Sequence, residues 1–171
     1  MKIKLQNVRL SFPSLFTTEK FGGEDTGKFA ATFILDPDEH AGIIKQIQDG
    51  FVELANEKLK GKVPPGDKLC LKDGDDQDRE EMSGKMTIKA STKKRPLVVD
   101  RDKTPLAEED GKPYAGSYVN AIIHLWAQNN EYGKRINAQL DGVQFFADGE
   151  PFGAPGIDAN EFDDFDDDVE F

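Results

Sequence analysis

Residues 118–147, YVNAIIHLWAQNNEYGKRINAQLDGVQFFA, carry the strongest hairpin signal in the chain and decide its fold class. Apolar residues stand at every second position from 119 to 127, and after a polar turn at 129–133 they recur at Ile136, Ala138 and Leu140. Because successive side chains of a strand point to opposite faces, the pattern predicts two long strands with one buried face. Gly142 breaks the alternation before Val143 and Phe145 resume it, which indicates a β-bulge.

The opposite face of this hairpin mixes aromatic, amide and basic side chains. The first strand places there Tyr118, Asn120, Ile122, His124, Trp126 and Gln128, and the second places there Arg135, Asn137 and Gln139. Aromatic rings that carry or adjoin polar groups are well suited to partly exposed surfaces. The face therefore resembles a surface for stacking and hydrogen bonding.

Shorter segments complete a mainly β chain. Strands are predicted at 2–12, 28–35 and 67–72, within 84–95, and as an edge strand at 96–100, with a bulge near residues 6 and 7. One helix is predicted at about 37–60, because Asp36 suits its N-cap, Pro37 its first position, and an apolar stripe runs on at helical spacing to Gly61. About five bulged strands and one packed α-helix favour a five-stranded Greek-key barrel of the OB type over a sandwich.

Residues 84–95, GKMTIKASTKKR, form a basic segment without an acid. Alternation at 86, 88 and 90 points three apolar side chains inward, so the lysines at 85 and 89 lie on the outer face. Lys93, Lys94 and Arg95 follow directly. An ordinary solvated strand face is the simplest interpretation, but five bases in eleven positions of an acidic protein favour an anion-binding surface.

The acidic segment 158–171, DANEFDDFDDDVEF, contains eight acids and no base. Such a composition predicts a disordered tail, and a solubility tail is one interpretation. Phe162, Phe165, Val169 and Phe171 interrupt the charge, which also suits docking into a basic, hydrophobic groove on a partner. The whole chain carries −11, but without these eight acids 25 acidic and 22 basic residues remain, so the body is nearly neutral and can bind an anion.

Several classes of function find little support in the sequence. Cys70 is the single cysteine, which excludes an internal disulfide and a multi-cysteine zinc site. His40 and His124 lack metal-ligand spacing, and the acidic loop that follows residue 72 has its glycine at the wrong position for an EF-hand. A magnesium-dependent nuclease built on that loop is a minor alternative. We expect no enzyme, cofactor or metal. The start MKIKLQNVRL predicts no signal peptide, and no apolar run approaches the length of a membrane span, so we expect a cytoplasmic protein.

Single-stranded nucleic acid is the ligand that these patterns favour. Small barrels bind single strands by joining a basic groove to aromatic platforms, and stacking tolerates any base. A duplex reader is less favoured, because no basic helix is available to enter a groove. The candidate DNA-binding residues are Lys85, Lys89, Lys93, Lys94, Arg95, Tyr118, Trp126, Tyr132, Lys134 and Arg135.

The chain resembles the phage-encoded single-stranded DNA-binding proteins. The resemblance rests on NVRLSFPSLF (7–16), KLCLKDGD (68–75), ASTKKRPLVVD (90–100), YAGSYVNAIIHLWAQ (114–128), INAQLDGVQFFADGE (136–150) and DDFDDDVEF (163–171), in the expected order. It implies sequence-independent ssDNA binding in phage replication and recombination. It also implies a tail that competes with DNA for the basic groove and recruits replication proteins such as a polymerase or helicase-primase.

On this resemblance, 1–150 is an ssDNA-binding OB-fold domain, and 151–171 is a Gly/Pro linker with the acidic tail. The partner-binding residues of the tail would be Asp163, Asp164, Phe165, Asp166, Asp167, Asp168, Glu170 and Phe171. Whether the chain forms a homodimer stays open at this point. A different class of function, an acidic DNA mimic that inhibits a host DNA-processing enzyme, is the alternative, although the basic segment argues against it.

Overall fold

A computed structural model describes residues 1–152, so the predictions for the acidic segment 158–171 lie outside the described residues. The strands are β1 (Lys2–Ser14), β2 (Lys20–Phe21), β3 (Glu24–Asp25), β4 (Phe29–Leu35), β5 (Leu71–Asp73), β6 (Met86–Thr92), β7 (Leu97–Val99), β8 (Tyr118–Asn130) and β9 (Gly133–Ala147). One α-helix, α1 (Ala41–Lys58), lies between β4 and β5 in the chain. Strands of this length and number make the chain mainly β, as the alternation predicted.

Five strands close into a barrel in the order β1-β4-β6-β9-β8 and back to β1. All contacts between neighbours are antiparallel except β6 with β9, which meet in parallel where Ser91 faces Gln139. This closure is the Greek-key barrel of the OB type that the sequence predicted. The short strand β5 extends the sheet beside β6, and β7 runs parallel to β9 as the predicted edge strand.

The barrel interior is filled by the residues that alternate inward along its strands. Ile3, Phe33, Ile88, Ile123 and Leu140 are among the fully buried side chains. Fully burying an apolar side chain of this size contributes about 1.5–3 kcal/mol, so the alternation is the main determinant of the fold.

Both predicted bulges are present and bend the long strands. The pairing of β1 with β8 shifts between Leu5 and Val8, where Asn7 adopts a φ of 52°. The pairing of β8 with β9 shifts where Ile122 faces Gly142 and Ile123 faces Leu140, which leaves Asp141 as the extra residue. Bulges increase local twist, which helps a five-stranded sheet to close on itself.

The helix begins at Ala41, four residues later than the sequence indicated, because a separate turn precedes it. Asp36 caps that turn: its Oδ1 accepts hydrogen bonds from the backbone N–H groups of Asp38 (2.9 Å) and Glu39 (3.1 Å). His40 is buried, with Nδ1 2.9 Å from the Asp36 nitrogen and Nε2 2.9 Å from the carbonyl oxygen of Asn7. His40 therefore joins the start of α1 to the bulge of β1, a structural role.

The apolar stripe of α1 packs against β8 and β1. Ile47, Phe51, Leu54 and Ala55 are its buried apolar residues, as expected from their spacing. Within 1–152, no helix is long and apolar enough to cross a membrane, and no group of three or more His, Cys, Asp or Glu side chains is placed to hold a metal ion.

Candidate nucleic-acid interface

Two adjoining clefts run across the outer face of β4 and β6 and reach the hairpin of β8 and β9. Their volumes are about 640 and 380 Å³, and Lys28, Ser91 and Trp126 line both. We call them together the basic groove. The face of the second and third barrel strands is also where barrels of the OB type bind oligonucleotides.

Eight basic side chains line the basic groove, against two acids. The bases come from four separate parts of the chain: Lys28, Lys68, Lys72, Lys89, Lys93, Lys94, Arg95 and Arg135. Lys89 pairs with Glu19 at 3.0 Å and Lys68 with Asp67 at 3.8 Å, while the other six make no ion pair with a residue in 1–152. The groove is therefore positive although the whole chain is acidic.

Trp126 is the one aromatic residue among the side chains that line the basic groove. It lies on the outer face of β8 opposite Asn137 of β9, and 45% of it is exposed. Gln128 lies two residues further along the same face, and its Oε1 accepts a hydrogen bond of 2.9 Å from Asn137 Nδ2. A half-exposed indole beside amide groups provides a flat surface on which a base can stack.

The small hairpin of β2 and β3 connects the first two strands of the barrel, and its base adjoins the basic groove. The Glu19–Lys89 ion pair links its base to β6, and the Glu19 nitrogen donates to the Lys28 carbonyl oxygen at 2.7 Å. At its tip Phe21 is 79% exposed. No alternation of apolar residues surrounds Phe21, so this exposed aromatic could only be found in the structure.

The bulge in β9 places an acid in the basic groove and gives it two partners. Asp141 Oδ2 contacts Nδ1 of His124, and its Oδ1 accepts a hydrogen bond from Gln139 Nε2 at 3.0 Å. His124 thus has a hydrogen-bonding partner across the hairpin, and its role in the fold needs no metal.

The structure brings together six of the ten predicted DNA-binding residues and leaves four apart. Lys89, Lys93, Lys94, Arg95, Trp126 and Arg135 line the basic groove, whereas Lys85, Tyr118, Tyr132 and Lys134 do not. Tyr132 is 77% exposed at the turn between β8 and β9. A role in DNA binding stays a prediction for all ten.

Tyr118 and Trp126 share a strand face, but only Trp126 lines the basic groove. Tyr118 begins β8, next to Arg9, whose guanidinium carbon lies 5.5 Å from the Tyr118 ring centroid. Eight residues of strand separate it from Trp126, a distance of about 26 Å. A binding surface that includes both rings would have to extend over this distance, and it stays a prediction.

Lys85 is held by an acid at the end of β4. Its Nζ lies 2.6 Å from Asp36 Oδ2. This hydrogen bond, with those from the N–H groups of Glu39 and Asp38, holds the pKa of Asp36 well below its usual value. The charge of Lys85 is thus matched locally, outside the basic groove.

Cys70 lines the basic groove but is unsuited to nucleophilic chemistry. Burial raises the pKa of its thiol to about 12, so the thiol is protonated at neutral pH. This agrees with the expectation that Cys70 packs in the fold.

Several groove residues were not among the sequence candidates. The alternation of β4 and of the β8–β9 hairpin had placed Lys28, Thr32, Gln128 and Asn137 on outer faces, which was a usable signal. No pattern marked Lys68 and Lys72, because Lys68 precedes and Lys72 lies within the short strand β5, which only the folded sheet brings beside β6.

Comparison with known proteins agrees with this architecture. Residues 1–171 match the model of a family described as Enterobacter phage Enc34, ssDNA-binding protein. The chain belongs to this family. A further relative is protein p50 of Acyrthosiphon pisum secondary endosymbiont phage 1, which is 39% identical over 174 residues, covering 96% of this chain and 94% of that protein.

Solved structures show the same fold within the family and beyond it. The single-stranded DNA-binding protein from bacteriophage Enc34 in complex with ssDNA is 37% identical, with a TM-score of 0.80 over 89% of each chain. The single-stranded DNA-binding protein gp2.5 encoded by bacteriophage T7 is 14% identical, with a TM-score of 0.54, and covers 100% of this chain and 97% of that chain. At that identity the second likeness concerns the fold alone.

Proposed function

We propose that this chain binds single-stranded DNA without sequence preference in the basic groove. The observation that carries the proposal is the half-exposed Trp126 in a groove lined by eight basic side chains on the β4–β6 face. A family relative, the Enc34 protein, has been solved in complex with ssDNA, which supports the same ligand here.

The groove chemistry accounts for binding that tolerates any sequence. Lysine and arginine side chains neutralise phosphates, which every nucleotide carries. The Trp126 ring offers a surface for stacking, and the exposed Phe21 at the tip of the β2–β3 hairpin offers a second ring, while every base has a face that can stack. The side-chain amides of Gln128 and Asn137 form a hydrogen bond with each other, so they are not dedicated to recognising the edge of a particular base.

We further propose that the protein acts in phage DNA replication and recombination by covering ssDNA, with 1–150 as the DNA-binding domain and 151–171 as linker and tail. Docking of the acidic, phenylalanine-bearing segment 158–171 on a replication protein, such as a polymerase or helicase-primase, is part of this proposal. Its alternation of acids with Phe162, Phe165 and Phe171 supports it, because basic, apolar grooves accept such peptides. This role is binding and requires no catalysis.

Titration with oligo(dT) tests the DNA-binding proposal. Since Trp126 is the only tryptophan, its fluorescence reports directly on the groove, and we expect quenching by oligo(dT), much weaker binding to duplex, and a steep loss of affinity with salt. No change in fluorescence and no gel shift at low salt would refute the proposal.

Variants of the acidic segment test its contribution. Deleting 158–171 removes eight negative charges, so we expect tighter binding of oligo(dT) at low salt and a smaller gain at high salt. A full-length variant with the eight acids replaced by amides should behave like the deletion, which separates charge from length. For partner docking, Phe171→Ala should weaken capture of the purified replication protein while leaving oligo(dT) affinity unchanged.

A further inference from the structure

A second cleft lies on the barrel face formed by β1, β8, β9 and β7, apart from the basic groove. Its volume is about 370 Å³, and none of its lining residues lines the basic groove. Gly142 contributes no side chain, so a space opens between Leu97 of β7 and Ile122 of β8. We call this cleft the apolar slot.

The apolar slot exposes two large apolar side chains, one on each side of Gly142. Leu97 is 63% exposed and Ile122 is 37% exposed, and Val99 and Val143 line the space next to them. Covering adjacent apolar side chains removes them from water, so the slot favours an apolar or aromatic group.

The charges at the apolar slot select an acidic ligand. Lys4 and Lys103 line it, no acid does, and neither lysine forms an ion pair with another residue in 1–152. A peptide with an aromatic side chain and neighbouring carboxylates would match both the apolar floor and the two ammonium groups. A second copy docked symmetrically would instead place like charges opposite each other.

The chain leaves the barrel near this slot. The Phe152 nitrogen donates to the Ala115 carbonyl oxygen at 3.1 Å, and the Arg9 guanidinium lies 4.3 Å from the Phe152 ring. Arg9 pairs with Tyr118, four residues before Ile122 on the same strand face, a separation of about 13 Å. Phe162 follows Phe152 by ten residues, and ten residues can span at most about 33–36 Å, which exceeds this separation.

We propose that the apolar slot binds a phenylalanine of the chain's own acidic segment 158–171, Phe162 or Phe165, with flanking carboxylates on Lys4 and Lys103. Because the segment belongs to the same chain and is long enough to reach the slot, its effective concentration there is raised. The basic groove lies farther along β8, at Trp126, so the slot is reached first. This docking does not depend on DNA binding.

Paramagnetic broadening in the full chain without nucleic acid tests the proposal. In a Cys70→Ser background, a nitroxide attached to Ala159→Cys reports the position of the segment, and no second thiol takes the label. We expect broadening of the amide signals of Leu97, Ile122 and Val143, and little at Ser91 in the basic groove.

Two variants and one control make the result specific. Leu97→Glu places a carboxylate in the slot and should abolish the broadening, as should Phe162→Ser combined with Phe165→Ser, which leaves the barrel unchanged. Val52→Glu, on an exposed position of α1, should not change it. Three results would each overturn the proposal. They are broadening centred on the basic groove, broadening that is not localised to any part of the surface, and broadening at the slot that comes only from a separately labelled second copy.

Discussion

Replacing Trp126 with alanine removes the one aromatic ring that lines the basic groove. Stacking of a base on an aromatic side chain contributes about 1–3 kcal/mol, so we expect the Kd for oligo(dT) to rise about 5- to 150-fold. Because 45% of Trp126 is exposed and its outer-face position adds little to the core, the unfolding temperature should change little.

The assay follows the fluorescence anisotropy of a labelled oligo(dT), since the variant has no tryptophan left. Titrations at several salt concentrations separate stacking from phosphate binding. The indole carries no charge, so the slope of log K against log salt should be the same in Trp126→Ala and wild type. Trp126→Phe keeps a smaller ring and should give an intermediate Kd.

An unchanged Kd for Trp126→Ala would refute the reasoning, because no base could then be stacking on this ring. A reduced salt slope would also contradict it. That result would mean that the substitution had disturbed the neighbouring lysines, and the loss of affinity could not be assigned to stacking.

Three further predictions concern charged side chains. Lys93→Ala should reduce the salt slope by about 0.7 if Lys93 contacts one phosphate, whereas Lys45→Ala, on exposed α1, should leave the slope unchanged. Glu19→Gln removes the carboxylate that pairs with Lys89, so binding of oligo(dT) should become tighter, and unchanged affinity would show that DNA does not use this lysine. Asp36→Asn should destabilise the protein at neutral pH, because the ionised carboxylate, with its lowered pKa, is the form that the fold stabilises. That stabilisation is complete above the unfolded-state pKa of about 4 and is lost as the pH falls through the folded-state pKa. The unfolding temperatures of variant and wild type should therefore converge in acid. A difference that stays constant with pH would contradict the assignment.

Local patterns in the sequence predicted much of the barrel. Alternation from Val119 to Leu140 identified the strands and their buried faces, and its breaks at residues 6–7 and at Gly142 identified the bulges. The spacing of apolar residues along a strand shows which side chains face the interior, because apolar side chains are the ones that become buried. The start of α1 was not predicted correctly. It depends on the hydrogen bonds of His40 to β1 and to the turn before the helix, and the bond to β1 joins distant parts of the chain.

The candidate site was predicted only in part, because strand alternation distinguishes inside from outside but not position around a barrel. Lys93, Lys94 and Arg95 were evident from the sequence as a cluster of like charge. Tyr118 was grouped with Trp126 because both lie on the same face, yet a strand of this length separates them.

By itself, the sequence determined which residues are buried, where the strands bend, and that a nearly neutral body precedes an acidic segment. Only the tertiary structure decided which outer residues meet. Closure of β6 against β9 places Ser91 beside Gln139, and so brings Trp126 to the lysines that follow β6. Contacts between strands so far apart in the chain depend on register and twist of the whole sheet, which no local pattern contains.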